Sequence, residues 1–194
     1  MRVAILLANG YEEVEALTVV DYLRRAEITV DMVSTTGSLK TIGDHDIAIM
    51  ADKLLADVKA SDYDLLVTPG GFPGSEMLAS NDQVIKLLQD QHQEGRYIAS
   101  ICASPLVLDK AGISQEIKGT CFPGLEGDKV HFADHQEDLV VQDKEQAVIT
   151  SRGPATAVYF ALAIIDTLLG KEKRDEIAEG LLLPLVEDSV KSHD

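Results

Sequence analysis

The sequence predicts an α/β fold in which a mostly parallel central sheet is covered by helices on both faces. Apolar runs alternate with helical stretches along the chain, and the runs are apolar throughout, as in strands that are buried on both sides. The 194 residues have the length of one domain, and 45% of them are hydrophobic, which is enough for a sizeable core. No repeat, low-complexity segment or linker divides the chain. We therefore expect a single domain over residues 1–194.

The first half of the chain supplies three core strands and two amphipathic helices. Residues 3–8 form an apolar run that ends at Asn9-Gly10, a pattern typical of a buried strand followed by a turn. A helix is predicted at residues 13–25, because acidic residues open it and complement its dipole, and a mostly apolar face recurs at helical spacing. Strands are predicted at residues 28–34 and 63–68, a shorter strand or part of an edge hairpin at 46–50, and the second helix at 82–94.

The second half continues the alternation. A strand at residues 97–101 is followed at once by Cys102 and by a helix that runs to about Lys110. Short strands are predicted at residues 130–132, 139–142 and 147–150, and the irregular stretch at 119–138 is predicted to be an insertion with turns and a hairpin. A long apolar helix at 154–169 has a proline in its first turn and ends at Gly170. A final acidic helix is expected at about 172–180.

The charge of the chain excludes several classes of partner and location. Its 17 Lys and Arg residues stand against 33 Asp and Glu residues, a formal charge of −16, whereas nucleic acids and anionic membranes attract clustered Lys and Arg. No apolar run reaches the roughly 18–20 residues that span a bilayer, and the N-terminus lacks the pattern of a signal peptide. Two cysteines do not make the disulfide framework of a secreted domain. We therefore expect a cytoplasmic protein with reduced thiols.

Cys102 is the strongest candidate for a reactive residue. It lies between a predicted strand and a helix that starts near Pro105, which is the arrangement of a nucleophile elbow, with Ser100 and Ser104 where glycines usually stand in that motif. Such a turn presents the side chain at the crest of the sheet, and the N–H groups of the following helix would lower the pKa of the thiol. The alternative is a structural thiol, since free cysteine is among the most buried residue types.

A glycine pair ends another core strand at the same predicted edge of the sheet, where open α/β sheets carry their active sites. Gly70 and Gly71 let the backbone approach a ligand closely. Together with the N–H of Ala103, their N–H groups could form an oxyanion hole. An ordinary turn between a strand and a helix is the alternative.

Three carboxylates open the first helix near the end of the first strand. Glu12, Glu13 and Glu15 are each explained by the helix dipole alone. A carboxyl that turned into the crevice would be desolvated and would keep its proton near neutral pH, so that it could donate a hydrogen bond or act as general acid and base. Spacing does not decide which of the three points inward.

The histidines and the second cysteine do not predict a metal site. None of the five histidines pairs with Cys102 by local spacing. His135-Gln136-Glu137 mimics part of a cysteine amidotransferase triad, but it lies in a polar stretch that we interpret as a loop. Cys121 with His131 and His135 is too sparse for the ligand spacing of a zinc site. We therefore predict neither a metal nor a cofactor, and we interpret Cys121 as a structural residue.

Taken together, the motifs resemble the ThiJ/PfpI superfamily, and within it the group named after the parkinsonism-associated protein DJ-one. The likeness runs from about Arg2 to Gly170 and rests on four segments in the expected order: LANGYEEVE at 7–15, LVTPGG at 66–71, ASICASP at 99–105 and TSRGPAT at 150–156. The resemblance implies a flavodoxin-like three-layer α/β/α sandwich of the class I glutamine amidotransferase-like type, which usually forms a homodimer. Arg25 matches an arginine that reaches the partner subunit's site in this group.

The resemblance also implies a role for each residue of the site. It makes Cys102 the nucleophile on a strained elbow and Glu15 the protonated carboxyl that is hydrogen-bonded to its thiol. The backbone donors that bind substrate and oxyanion would be those of Gly70, Gly71 and Ala103. The activity that it implies is a cofactor-free glyoxalase acting on methylglyoxal, together with deglycation of proteins, oxidation of the cysteine to sulfinic acid and a protective role in stress.

The chain departs from the resemblance at Phe122. The family often has a histidine there, directly before a proline, near the nucleophile. The residue after the cysteine is Ala103, whereas the peptidases of the family have a histidine, so we do not expect a peptidase. Nothing in these residues supports the thiazole-phosphate biosynthesis that the superfamily name suggests.

We therefore expect a cysteine-dependent enzyme that acts without glutathione on small 2-oxoaldehydes such as methylglyoxal, or on their protein adducts. Its expected partners are this small carbonyl substrate and a second copy of the chain. The alternative is an oxidation-sensitive thiol protein of the stress response, a redox sensor or chaperone-like protein with little turnover. The missing histidine favours this alternative somewhat.

Overall fold

A seven-stranded sheet forms the centre of the structure, a computed structural model that describes residues 1–191. The strands in chain order are β1 (Arg2–Leu7), β2 (Thr29–Ser34), β3 (Lys40–Ile42), β4 (Ala48–Met50), β5 (Lys53–Leu54), β6 (Leu65–Thr68), β7 (Tyr97–Ile101), β8 (Lys118–Gly119), β9 (Asp134–His135), β10 (Val140–Asp143) and β11 (Val148–Ser151). The sheet order is β10-β11-β7-β6-β1-β2-β5, and its strand pairs are parallel except for β10 with β11. The predicted, mostly parallel central sheet is confirmed.

Helices cover both faces of this sheet. They are α1 (Glu13–Arg25), α2 (Gly74–Ala79), α3 (Asp82–Gln93), α4 (Pro105–Lys110), α5 (Ala157–Leu169), α6 (Lys171–Gly180) and α7 (Leu183–Lys191). Successive side chains of β1 point to opposite faces: Val3 and Ile5 belong to the cluster with α1 and α5, whereas Ala4 and Leu6 belong to the cluster with α3 and α4. The structure is thus the predicted three-layer α/β/α sandwich. No helix among the described residues is long and apolar enough to cross a membrane.

The elements with the clearest sequence patterns lie where they are predicted. α1 and β7 have the predicted bounds, and α1 combines an acidic first turn with buried Val19 and Leu23 on its inner face. Glu12 caps this helix, because its side chain accepts the N–H of Val14 at 3.3 Å. The short edge strand is confirmed as β4, which pairs with β3 in a separate antiparallel hairpin.

The irregular segment after α4 differs from the prediction in two ways. The predicted strand at residues 130–132 is wrong: Val130 makes an isolated bridge with Glu126, and its side chain is buried without continuing a strand. The predicted hairpin is wrong as well, because β8 and β9 pair in parallel, with Gly119 beside His135. A parallel pair needs a connection that returns to the start of the first strand, and residues 120–133 are that connection.

The helices at two places also differ from the prediction. α2 was not predicted, because six residues that begin with Gly74 are too few to show a helical period. α7 was not predicted either, so α6 is not the final helix; Pro184 lies in the first turn of α7, where proline is tolerated. The predicted helix at 154–169 begins as a 3-10 turn, Pro154–Thr156, before α5. The predicted end of the domain at residue 194 and the tail residue His193 lie outside the described residues.

Candidate active site

Cys102 occupies a left-handed turn between β7 and α4. Its φ of 64° is a conformation that residues with a side chain rarely adopt. Both of its backbone groups are held by neighbours: its N–H donates to the Ser151 carbonyl at 2.9 Å, and its carbonyl accepts the Phe122 N–H at 2.8 Å. The residue is 9% exposed. The predicted elbow is therefore present, and the surrounding backbone maintains its unusual conformation.

Three buried hydroxyl groups lie beneath the elbow. Ser104 Oγ lies 2.7 Å from Ser100 Oγ and 3.1 Å from Thr68 Oγ1, and it accepts the Ile101 N–H at 3.1 Å. Thr68 Oγ1 also contacts Ser100 Oγ at 2.8 Å. These serines stand where the motif usually has glycine, and they link the ends of β6 and β7 under Cys102. Their small size is visible in the sequence, but the hydrogen bonds between them depend on the packed structure and are not.

Glu15 is the carboxyl of α1 that faces the elbow. Its side chain is fully buried, and its Oε2 accepts the Gly70 N–H at 2.7 Å, whereas its Oε1 has no hydrogen-bond partner among the described residues. Burial raises the pKa of Glu15 from 4.5 to about 7, although the Cys102 side chain and the Gly70 N–H act to lower it. Spacing alone does not decide which of the three glutamates points inward. In the structure Glu12 caps the helix, and Glu13 Oε2 lies 2.8 Å from His45 Nδ1.

Gly70 packs against both Cys102 and Glu15. A Cβ atom on Gly70 would lie 2.6 Å from Cys102 Cβ and 2.6 Å from Glu15 Oε2, so only glycine fits between them. Its N–H is already bound by Glu15 and is not free for an oxyanion in this arrangement, contrary to the expectation for Gly70. The N–H groups of Gly71 and Ala103 do interact with the Cys102 sulfur. Two of the three predicted backbone donors are therefore available at the thiol.

The thiol of Cys102 does not favour its ionised form. Burial raises its pKa, and the negative charge of Glu15 raises it further, while the N–H groups of Ala103 and Gly71 act in the opposite direction. The Ala103 N–H at the start of the following helix acts to lower this pKa, as expected, but burial and the charge of Glu15 outweigh it. α4 has only six residues, and its dipole is too small to offset the desolvation of a buried thiolate. Reaction at sulfur consequently requires a base that removes the thiol proton, and Glu15 is the titratable group beside it.

Phe122 lies directly beside Cys102, as the sequence comparison of motifs suggested, but it offers no acid or base. Its N–H donates to the Cys102 carbonyl, its ring is 46% exposed, and a Cβ on Gly153 would lie 3.6 Å from the ring. The described histidines have other neighbours: Glu13 beside His45, Glu116 beside His92, Asp109 beside His131 and Phe132 beside His135.

Arg25 lies far from the thiol of its own chain. It ends α1, ten residues after Glu15, which corresponds to about 15 Å along the helix axis. Its guanidinium binds Asp21 at 2.8 Å, and both side chains are about half exposed (52% and 53%). A role for Arg25 in the site of a partner subunit stays a prediction.

Two groups of side chains among the described residues bring ligand atoms within 4.8 Å of one another, as a metal site requires. One group is Glu12, Glu13 and His45, in which Glu13 already binds the imidazole. The other is Cys121, Glu126 and His135. Spacing did not predict the second group, because its carboxylate comes from a loop without a recognisable motif.

A parallel α/β sandwich with a cysteine on a left-handed elbow beside a buried carboxyl is characteristic of a class of reactive-cysteine proteins. The chain belongs to the DJ-1/PfpI family, whose sequence pattern matches residues 1–167. Its sandwich is the flavodoxin-like fold of the solved structures in that family.

Relatives of known name support this assignment over nearly the whole chain. Protein dj-1beta of Drosophila melanogaster is 39% identical over 92% of this chain and 95% of its own length, and its crystal structure matches with a TM-score of 0.87 over 93% of this chain and 97% of that one. The glutathione-independent glyoxalase DJR-1.2 of Caenorhabditis elegans is 36% identical over 92% of this chain and 94% of its own. The structure of Toxoplasma gondii DJ-1, in an oxidized form, matches at 33% identity with a TM-score of 0.88, over 93% and 97% of the two chains.

Proposed function

We propose that this protein is a cysteine-dependent enzyme that converts small 2-oxoaldehydes such as methylglyoxal, or their adducts on proteins, into hydroxy acids without glutathione or a cofactor. The observation that carries the proposal is the pair formed by Cys102 and Glu15: a thiol that needs a base, and a buried carboxyl whose pKa is about 7. The likeness to a glutathione-independent glyoxalase gives independent support.

The first step joins the thiol to the aldehyde. The Glu15 carboxylate removes the thiol proton while Sγ bonds to the aldehyde carbon, and the C=O π electrons move to oxygen. The N–H groups of Gly71 and Ala103, which already interact with the sulfur, would stabilise the resulting oxyanion. Glu15 then returns the proton it took from the thiol to the oxyanion, which gives a hemithioacetal and restores the Glu15 carboxylate for the next step.

The second step moves a hydrogen between neighbouring carbons. Glu15 removes the proton from the former aldehyde carbon to give an enediol, and it returns a proton to the adjacent carbon. The first carbon is thereby oxidised to a thioester and the second is reduced to an alcohol, so no external oxidant or reductant is needed. Water then cleaves the thioester, which releases the hydroxy acid and restores the thiol.

The test is the formation of lactate from methylglyoxal in the absence of glutathione. We expect turnover by the native chain, none above background by Cys102→Ala, and an unchanged rate for the matched variant Cys121→Ala, which removes the other buried thiol. A full rate in Cys102→Ala would exclude the mechanism.

The proposal includes a cytoplasmic homodimer. Exposed apolar side chains on α1 and on the β3–β4 hairpin offer a surface for a second copy: Val14, Ile47 and Met50, which are 53%, 51% and 60% exposed. Arg25 would then be free to reach the site of the partner. Light scattering of the native chain against a Val14→Asp variant tests the dimer, which the added charge should weaken.

The second candidate is an oxidation-sensitive thiol protein of the stress response. It is favoured by Phe122, because the residue whose N–H binds the Cys102 carbonyl has an apolar side chain and so supplies no base for the water that must cleave a thioester. Peroxide would oxidise Cys102 to sulfinic acid, and Glu15 would hold that product. Mass spectrometry after mild peroxide treatment should then show selective oxidation of Cys102, whereas equal oxidation of Cys102 and Cys121 would argue against a tuned sensor.

A further inference from the structure

A second cluster of reactive side chains lies outside the Cys102 site, in the connection between β8 and β9. Cys121 Sγ, a carboxylate oxygen of Glu126 and a ring nitrogen of His135 lie within 4.8 Å of one another. Cys121 is the second residue after β8 and His135 ends β9, and the parallel pairing of Gly119 with His135 holds them side by side. The backbone thus brings together three ligand types from one 15-residue stretch, 121–135.

The imidazole in this cluster lacks a partner. His135 Nε2 is buried and has no hydrogen bond within the part of the chain that the structure describes. Leaving such a buried nitrogen unpaired destabilises the fold unless a ligand pairs with it. Phe132 stacks on the ring with centroids 5.9 Å apart and planes 16° apart, which restrains its orientation. The cluster therefore contains, besides a thiol and a carboxylate, a buried imidazole nitrogen that no group in the described part of the chain satisfies.

The thiol and the carboxylate are also incompletely paired with each other. Cys121 is fully buried, and its Sγ lies 3.9 Å from Glu126 Oε2, a long and weak contact. Glu126 Oε2 additionally accepts the Gly124 N–H at 2.8 Å, which fixes the carboxylate on the side of the cluster. Burial raises the pKa of the Cys121 thiol to about 12, and the negative charge of Glu126 acts in the same direction. A cation among these groups would reverse that effect, because a bound divalent ion is the largest local charge and ionises a coordinating thiol.

We propose that Cys121, Glu126 and His135 bind a divalent transition-metal ion of the zinc type, with water as the fourth ligand. Sulfur, nitrogen and carboxylate oxygen are the ligand types that zinc prefers in four-coordinate sites. Ligand atoms at tetrahedral zinc stand roughly 3.5 Å apart, so the cluster has to contract only slightly. The Glu126 side chain is partly exposed and lies outside the helices and named strands of the fold.

One positive group opposes the ion. The Arg152 guanidinium partly opposes the rise in the pKa of Cys121 and contributes to the lowered pKa of Glu126, and it donates to the Glu137 carbonyl at 2.8 Å. A thiolate and a carboxylate together balance the charge of a divalent ion, and Arg152 adds a repulsive contribution. The affinity should therefore fall below that of an all-cysteine structural zinc site.

Metal binding at this cluster would also affect the backbone that supports the Cys102 elbow. Phe122 follows Cys121 directly, and its N–H donates to the Cys102 carbonyl. An ion that fixes Cys121 therefore fixes the backbone that supports Cys102, without touching the Cys102 sulfur.

The experiment is a titration of the reduced, metal-free native chain with Co²⁺, a spectroscopic substitute for Zn²⁺. We expect one equivalent to bind with a thiolate-to-cobalt charge-transfer band. The band should persist in Cys102→Ser, disappear in Cys121→Ser, and require at least about tenfold more metal in His135→Gln and Glu126→Gln. The matched control is His131→Gln, which removes a neighbouring exposed histidine that binds Asp109 and should leave the titration unchanged.

Melting temperature provides a second readout that does not depend on activity. Zn²⁺ should raise the melting temperature of the native chain and of Cys102→Ser but not of Cys121→Ser. If Cys121→Ser does not fold, His135→Gln decides the question, since its ring is partly exposed and its loss disturbs the core less. A band that survives in Cys121→Ser and is lost in Cys102→Ser, or no band with excess metal, would overturn the proposal.

Discussion

The two cysteines are both buried and both lie beside a glutamate, yet the two pairs have opposite electrostatics. At Cys102 the carboxyl is buried as well, and the pKa of Glu15 is raised to about 7. At Cys121 the pKa of Glu126 is lowered, because its own N–H and that of Gly124 donate to it. The first pair can exchange a proton near neutral pH, whereas the second keeps a fixed negative charge that suits a cation. Burial of the carboxyl, rather than of the thiol, therefore distinguishes the two sites.

The largest expected effect comes from removing the base of the first pair. Glu15→Gln keeps the shape and an oxygen that can accept the Gly70 N–H, but it cannot take the thiol proton. We expect the rate of lactate formation to fall by about 10²–10⁴-fold. In the native chain kcat/KM should rise with pH through about 7, as Glu15 ionises, and this limb should be absent from the residual activity of the variant.

Glu126→Gln is the matched control for that comparison, because it makes the same change beside the other thiol. Its rate of lactate formation and its pH profile should resemble those of the native chain. An equal loss of activity in both variants would show that the two pairs do not differ in the way proposed.

The same substitution at Glu15 should stabilise the fold. The pKa of Glu15 is about 7 in the folded chain against 4.5 as an ordinary glutamate, so the folded state prefers the protonated form. The associated stability is fully present below about pH 4.5 and is lost as the pH rises through about 7, a loss of about 3 kcal/mol. Glu15→Gln removes this loss. Denaturant unfolding at pH 5 and pH 8 should show a smaller difference between the two pH values in the variant than in the native chain.

The hydroxyl network beneath Cys102 gives the next effect in size. Ser104→Ala leaves the Ile101 N–H without its partner and breaks the contacts with Ser100 and Thr68, which should cost about 1–3 kcal/mol in the free energy of unfolding. The matched control is Ser75→Ala, because Ser75 is equally buried but its Oγ has no hydrogen-bond partner among the described residues. Its removal should be neutral or stabilising. Equal costs in the two variants would mean that the network contributes nothing beyond filling space.

Local sequence patterns predicted the elements and the elbow, because each depends on neighbouring residues. α1, β7 and the position of Cys102 follow from apolar spacing and from one strand-to-helix junction. The choice of Glu15 came only from the family resemblance, since three glutamates share the first turn and its surroundings. The raised pKa of Cys102 was not predicted, because burial of the thiol depends on the packed structure and not on the adjacent helix.

Contacts between distant segments could not be read from the sequence. Ser104 meets Thr68 across 36 positions, which requires the register of β6 with β7. Cys121 meets His135 because β8 and β9 pair in parallel, where the sequence suggested a hairpin. In both cases the residue types were visible, but their partners depended on strand pairing.

The smallest expected effect comes from adding the histidine that the chain lacks at position 122. Phe122→His introduces an imidazole at the residue whose N–H binds the Cys102 carbonyl, and it should change stability little because residue 122 is 46% exposed. If cleavage of the thioester limits turnover for want of a base, the rate of lactate formation should rise several-fold, and single-turnover measurements should show faster decay of the acylated enzyme. Phe122→Leu is the matched control, since it shortens the apolar side chain without adding a base. An unchanged rate in Phe122→His would mean that the absence of an imidazole does not limit turnover. Formation of the hemithioacetal by Cys102 and Glu15 would then set the rate.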